Sequence, residues 1–152
     1  MLDDANVIKQ RDPGGALLIA ADQYNQASFD ANIWNDEHDS REIMNVVVAG
    51  MGGSALSAGI LKSWLKSDLK IPFEVVRSYT LPSYVGPNTL VIASSYSGNT
   101  EETVSCLEQA EVKGAQLAIV AASGKLIDDA GSLKIAHVAL PTGLQPRMAV
   151  IY

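Results

Sequence analysis

The chain has few of the residues that build disulfides and metal sites. Its 152 residues include one cysteine, Cys106, and two histidines, His38 and His137. A single cysteine excludes an internal disulfide and fits a reducing compartment. Two scattered histidines and one thiol do not form the clustered ligand set of a zinc site, so no metal is expected. Neither histidine has a motif relation to a serine, so no serine nucleophile with its base is predicted.

Positive charge and long apolar runs are also scarce. The chain carries 11 Lys and Arg against 17 Asp and Glu, a net charge of −6. This balance argues against nucleic acid and against an anionic membrane as partners. No apolar run approaches the ~18 residues of a membrane span. The charged first 15 residues contain no apolar signal core, so the expected location is the cytoplasm.

Continuous apolar runs alternate with helical patterns along most of the chain. Such runs are typical of strands buried on both faces of a parallel sheet. The pattern predicts a three-layer α/β domain with a five-stranded, mostly parallel sheet flanked by helices, a flavodoxin-like architecture. We expect a leader over residues 1–15 and one domain over 16–152. The predicted strands are 43–50, 72–79, 89–95, 115–122 and 133–140, and the predicted helices are 16–34, 51–69, 99–114 and a short turn at 124–132.

Two loops rich in glycine and serine follow the first and third predicted strands. In a parallel sheet, ligands bind beyond the carboxyl ends of the strands, where the strand order reverses. The first loop, "AGMGGSA" (49–55), precedes a helix for which Ser54 or a neighbour is the predicted N-cap. It also fits the dinucleotide fingerprint, but Arg77 stands where an acidic residue would bind the NAD ribose. An NADP-type site and a plain tight turn therefore remain open alternatives for this loop.

The second loop, "SSYSGNTEET" (94–103), contains more hydroxyl groups than a helix cap needs. Asn99 and Glu102 fit the two positions of a capping box. The remaining hydroxyls, with the amides of a helix N-terminus, suit the three acceptor oxygens of a phosphate monoester. Glu101 and Glu102 would oppose such an anion unless their carboxylates point away.

Three segments in this order carry a resemblance to a known family: "GMGGSALSA" (50–58), "SYSGNTEET" (95–103) and "LPTGLQPR" (140–147). Together they resemble the sugar isomerase (SIS) domain, and more narrowly the N-terminal half of the bifunctional phosphoglucose/phosphomannose isomerase family. The resemblance implies that Arg147 stabilises the charge of an enediolate intermediate. It also implies a set of residues that contact the sugar phosphate: Gly52, Gly53, Ser54, Ser95, Ser97 and Thr100.

The implied reaction interconverts glucose 6-phosphate or mannose 6-phosphate with fructose 6-phosphate, a step of glycolysis and gluconeogenesis. It needs no metal or nucleotide cofactor. In the family, a second SIS domain supplies the glutamate base, a histidine and a lysine, and none of these can be matched here. We therefore expect a truncated half with little activity alone, a homodimer, and a small-molecule sugar phosphate as ligand. A non-catalytic SIS sensor of sugar phosphates is the alternative.

Overall fold

A six-stranded β-sheet forms the centre of the molecule in a computed structural model that describes residues 4–37 and 40–152. Its strand order is β1-β6-β5-β4-β2-β3, with β1 antiparallel to β6 and the other neighbours parallel. The strands are β1 (Ile33–Trp34), β2 (Asn45–Gly50), β3 (Phe73–Val76), β4 (Thr89–Ser95), β5 (Gln116–Ala121) and β6 (Ala136–Ala139). The helices are α1 (Ala5–Arg11), α2 (Ala16–Ala21), α3 (Gly52–Trp64), α4 (Glu101–Val112) and α5 (Lys125–Ser132), with 3-10 turns at Gln23–Ser28, Leu65–Ser67 and Pro146–Met148.

The five predicted strands are confirmed as β2 to β6, with ends that fall up to three residues inside the predicted ranges. Strand β1 was not predicted, because two residues give no apolar run that sequence reading could detect. It adds a short antiparallel edge, in which Ile33 pairs with Val138 and Trp34 with His137.

Helices cover both faces of the sheet, which confirms the three-layer architecture. On one face Val47 and Val91 pack with Cys106 of α4, and Ile119 packs with Leu126 of α5. On the other face Val46 and Val48 pack against Ala58 of α3. Val47 and Val91 are fully buried, as expected for central strands with helices above and below.

The prediction of one helix over 16–34 is wrong. Helix α2 ends at Ala21, and a 3-10 turn follows over Gln23–Ser28. The Ser28 hydroxyl donates to the nearby carbonyl of Asn25, and a side-chain bond of this kind competes with an α-helix. Leu17 and Tyr24, two large apolar residues of this stretch, are 58% and 70% exposed.

The predicted leader contains a helix of its own, α1. Asp4 is its N-cap, accepting from the backbone N–H of Asn6. Farther along, the Asp12 carboxylate accepts from the backbone N–H groups of Leu17 and Ala16, which lowers the pKa of Asp12.

In the described part of the chain, no helix has the length and apolar character needed to cross a membrane.

Candidate functional site

The two predicted loops lie side by side at the carboxyl edge of the sheet. Strands β2 and β4 are neighbours, with Gly50 paired to Ser94, so the chain leaves both strands at the same point. From β2, one crossover leads outward to β3, and the chain then returns to β4 on the other side. The strand order therefore reverses between these two loops, which is where open α/β sheets bind ligands.

A cluster of three hydroxyl side chains forms in the second loop, and we call Ser95, Ser97 and Thr100 the hydroxyl cluster. The Ser95 Oγ lies 2.8 Å from the Thr100 Oγ1 and 3.4 Å from the Ser97 Oγ. Ser95 is 2% exposed, whereas Ser97 is open to solvent. The structure thus brings these three predicted residues together, with one hydroxyl at the base of the loop and one at its rim.

The hydroxyl cluster stands at the N-terminus of α4. Thr100 is the N-cap of this helix, and its side chain makes no capping bond. The first backbone N–H groups of a helix have no intrahelical partner, and the helix dipole adds partial positive charge there. These N–H groups and hydroxyls are local hydrogen-bond donors, so they can bind an anion even though the net charge of the chain is −6.

The predicted capping box of Asn99 and Glu102 is wrong. The Asn99 Oδ1 instead accepts from the backbone N–H of Lys125 at 2.9 Å, and so caps the next helix, α5. In addition, the N–H of Leu126 donates to the carbonyl of Gly98 at 3.0 Å. The second loop is therefore held by the start of α5, a contact between segments that no local motif indicates.

The first loop provides the predicted glycines and a hydroxyl, but Ser54 does not have the predicted capping role. The N-cap of α3 is Met51, whose side chain makes no capping bond. The Ser54 Oγ instead accepts from the backbone N–H of Tyr96 at 3.3 Å. Ser54 thus joins the first loop to the second.

Arg147 lies next to the first loop through its backbone. A Cβ built on Gly53 would be 2.9 Å from the Pro146 carbonyl oxygen and 3.5 Å from the Arg147 Cα. The side chain of Arg147 is exposed, and among the described residues no hydrogen bond or ion pair involves its guanidinium. Farther along, the Ser57 hydroxyl donates to the carbonyl of Val150 at 2.8 Å.

A buried glutamine also fixes the segment that contains Arg147. Gln26 is 6% exposed, and its Nε2 donates to the carbonyl of Met148 while its Oε1 accepts from the N–H of Ile151. Sequence reading did not identify Gln26, because it lies in a stretch predicted to be an ordinary amphipathic helix. The signal available was a polar residue with no place in an apolar stripe.

Tyr96 is a second residue that sequence reading missed. It lies between two members of the hydroxyl cluster, yet it is only 9% exposed. Its hydroxyl donates to the carbonyl of Pro141 at 2.8 Å and accepts from the N–H of Leu144 at 3.0 Å. The available signal was a large aromatic residue within a run of small hydroxyl side chains.

The acidic residues at the start of α4 are partly engaged elsewhere. The Glu101 Oε2 accepts from the Tyr79 hydroxyl at 3.2 Å, and this hydrogen bond raises the pKa of Tyr79.

The buried thiol of Cys106 lies in the same helix. Burial, with a smaller contribution from the charge of Glu102, raises the pKa of the Cys106 thiol to about 11. Cys106 is therefore a neutral core residue at physiological pH.

His137 does not join the two loops. His137 lies in β6, where its Nδ1 is 3.0 Å from the carbonyl oxygen of Ile135. His38 lies outside the described residues. Within residues 4–37 and 40–152, no group of three or more His, Cys, Asp and Glu side chains is arranged to hold a metal.

An open cleft of about 930 Å³ lies away from the two loops. It is at the opposite edge of the sheet, where the chain enters β4, β5 and β6. The hydroxyl cluster is not among its lining residues. Ser97 of the second loop and Arg147 beside the first loop are exposed, so this part of the sheet edge faces solvent.

Comparison with known proteins assigns the chain to a family. The model of the SIS domain family matches residues 41–139. The chain is 45% identical, over 74% of its length, to a bifunctional phosphoglucose/phosphomannose isomerase of Caldicellulosiruptor bescii, of which it covers 33%. It is 41% identical, over 71% of its length, to the protein of that name in Thermoplasma acidophilum, of which it again covers 33%. The chain thus spans about a third of the length of these curated relatives.

A solved structure shares the fold at low identity. Tagatose-6-phosphate ketose/aldose isomerase from Escherichia coli superposes with a TM-score of 0.60 at 20% identity, covering 89% of this chain and 40% of that one. The family match includes β2 to β6 and both loops of the candidate site. The resemblance inferred from the three sequence segments is confirmed, and the chain belongs to the SIS domain family.

Proposed function

We propose that the chain is the sugar-phosphate-binding domain of an isomerase that interconverts glucose 6-phosphate or mannose 6-phosphate with fructose 6-phosphate. The observation that carries this proposal is the hydroxyl cluster at the N-terminus of α4, beside the glycines of the first loop. The names of the two relatives from Caldicellulosiruptor bescii and Thermoplasma acidophilum support the class of reaction, since both are called bifunctional phosphoglucose/phosphomannose isomerase.

The hydroxyl cluster would bind the phosphate group of the sugar. A phosphate monoester carries a charge of about −1.5 to −2 and three acceptor oxygens. Ser97 and Thr100 can each donate a hydroxyl hydrogen to the phosphate. The buried Ser95 would orient the Thr100 hydroxyl through the 2.8 Å contact between Ser95 Oγ and Thr100 Oγ1. The free N–H groups at the start of α4 add further donors. Gly52, Gly53 and Ser54 would face the same ligand from the neighbouring strand.

Arg147 would act at the other end of the sugar. In the proposed reaction a base removes the proton from C2 of the open-chain aldose, and negative charge develops on the C1 and C2 oxygens of the enediolate. The proton then returns to C1, which yields the ketose. A guanidinium beside those oxygens stabilises the intermediate electrostatically. The guanidinium of Arg147 is exposed and has no hydrogen-bond or ion-pair partner within residues 4–37 and 40–152, which supports this role.

We place the base outside this domain, so the chain alone would have little or no isomerase activity. Glu101 is the acidic residue that directly follows the hydroxyl cluster, and its carboxylate already accepts from Tyr79. The exposure of Ser97 and Arg147 supports the view that another domain completes the site.

Ligand binding by the purified chain tests the proposal. We expect fructose 6-phosphate to raise the melting temperature, whereas fructose and NADP+ should not. Ser97→Ala should weaken fructose 6-phosphate binding about tenfold, since a hydrogen bond to a charged group contributes roughly 1.5 kcal/mol or more. Ser63→Ala, an exposed serine on α3, is the matched control and should bind normally. No stabilisation by any of the three sugar phosphates would refute the proposal.

A coupled assay tests the second part of the proposal. The chain should show no conversion of fructose 6-phosphate above background even when that ligand stabilises it. Full turnover by residues 1–152 would show that the base lies within this chain.

We also propose that the chain self-associates through the outer face of α3. Four large apolar side chains of this helix are 42% to 75% exposed, and contiguous apolar surface of this kind marks interaction sites: Leu56, Ile60, Leu61 and Trp64. Trp64→Glu should shift the sedimentation coefficient towards that of a monomer. Val112→Glu, at an exposed apolar residue of α4, is the matched control and should leave it unchanged. A monomeric wild type at high concentration would contradict the proposal.

A further inference from the structure

Tyr96 connects the two parts of the proposed site, although it lies in neither. Its backbone belongs to the second loop, between Ser95 and Ser97. Its hydroxyl reaches the segment 141–147, where it donates to the carbonyl of Pro141 and accepts from the N–H of Leu144. Arg147 lies at the end of that segment.

The segment has few other anchors: Leu144 packs against the buried cluster that contains Tyr96, and Gln26 bonds to the carbonyl of Met148, the residue after Arg147. Most of its residues are exposed, including Pro141 and Gly143. Within the described part of the chain, both hydrogen bonds that tie 141–147 to the rest of the molecule run to the Tyr96 hydroxyl. The Met148 N–H bonds only within the turn, to the carbonyl of Gln145. Removing the hydroxyl would therefore leave 141–144 without hydrogen bonds to the rest of the molecule, and the path of the chain that leads to Arg147 would be less fixed.

Tyr96 itself is firmly placed. Its ring packs in a buried cluster with Leu140 and Ala149. Its backbone N–H donates to the Ser54 Oγ, and its carbonyl accepts from the N–H of Ala122 at 3.0 Å. Because both the backbone and the ring of Tyr96 are held, its hydroxyl has a fixed position. The hydroxyl can therefore fix the position of the segment to which it bonds.

We propose that Tyr96 is a positioning residue that sets the location of Arg147 relative to the hydroxyl cluster. The inference rests on the proposed function, since it gives Arg147 the role of stabilising charge at C1 and C2. Because Tyr96 lies between two residues of the phosphate loop, the same loop would bind the phosphate and fix the distance to the guanidinium. Tyr96 would act through Arg147 and would not itself contact the sugar.

Tyr96→Phe tests this role with two ligands. The change keeps the ring in its cluster and removes only the hydroxyl. Arabinonic acid 5-phosphate, whose carboxylate resembles the charged enediolate end, should bind about tenfold more weakly to Tyr96→Phe, because two hydrogen bonds that orient the segment are lost. Inorganic phosphate should bind within about twofold of the wild type, since the hydroxyl cluster is unchanged. Tyr24→Phe, at an exposed tyrosine, is the matched control and should bind both ligands normally.

Arg147→Ala separates a positioning role from a general loss of structure. If Tyr96 acts through Arg147, adding Tyr96→Phe to Arg147→Ala should weaken binding of the sugar-acid phosphate no further. Additive losses in the double variant, or an equal loss of inorganic phosphate binding by Tyr96→Phe, would overturn the inference while leaving the proposed function intact. A wild type that binds neither ligand would overturn both.

Discussion

Gly98→Ala is expected to lower the free energy of unfolding by about 4 kcal/mol, at the high end for a single substitution. Gly98 has φ +67°, a conformation that costs an L-residue roughly 1 kcal/mol. The larger cost comes from a close approach, because an alanine Cβ would lie 1.7 Å from the carbonyl oxygen of Ser123. Backbone on one side or the other must move, and both sides are fixed by the contacts between the second loop and α5.

Gly114→Ala is the matched control for this prediction. Gly114 has φ +68°, almost the same as Gly98, but the nearest atom to its built Cβ is the Pro87 Cγ at 4.0 Å. Only the backbone cost should remain, a loss of about 1 kcal/mol. Urea unfolding of the two variants measures the difference. Equal losses would show that the approach of Ser123 relaxes freely and does not constrain the loop.

The difference between the two glycines also bears on ligand binding. The carbonyl of Gly98 accepts from Leu126, and its neighbour Ser97 belongs to the hydroxyl cluster. A shift of the backbone at Gly98 would move the Ser97 hydroxyl with it. Gly98→Ala should therefore also lose fructose 6-phosphate binding, whereas Gly114→Ala should retain it.

The sheet could be predicted because its strands carry their own signal. Val46, Val47 and Val48 form a continuous apolar run, which is typical of a strand buried on both faces, and β2 lies inside the sheet between β4 and β3. The hydroxyl cluster could be predicted for a related reason. Ser95 is the last residue of β4, and Ser97 and Thr100 follow it closely, so its position at the sheet edge depends only on identifying that strand.

The parts that sequence reading missed depend on contacts between distant segments. The hydroxyl of Tyr96 bonds to residues 45 and 48 positions farther along the chain. Asn99 matches a local capping motif, yet its side chain bonds to Lys125, 26 positions away. A local motif states which bonds a side chain can make, whereas the packed structure decides which it does make. Tyr96 and Asn99 both lie in the second loop, where three segments of the chain converge.

Gly53→Ala is expected to destabilise the chain even though alanine is the better helix former. Gly53 lies in the first turn of α3, where an alanine would normally be favoured by up to about 1 kcal/mol. Its Cβ would lie 2.9 Å from the Pro146 carbonyl oxygen, so the 146–147 backbone must retreat. Overpacking of this kind costs about 1–3 kcal/mol, which leaves a net loss of about 1 kcal/mol. The displaced backbone is that of Arg147, so the sugar-acid phosphate should also bind more weakly.

Gly59→Ala in the same helix provides the opposite expectation. The nearest atom to its built Cβ is an Arg77 guanidinium nitrogen at 3.9 Å, an ordinary contact. This variant should gain up to about 1 kcal/mol from helix propensity and should bind ligand normally. Urea unfolding of the pair, with the chemical shift of the Arg147 amide as a local probe, measures both effects. If Gly53→Ala gained as much as Gly59→Ala and left that shift unchanged, the contact between the first loop and Pro146 would impose no constraint. The position of Arg147 would then depend on Tyr96, Gln26 and Ser57 without a contribution from Gly53.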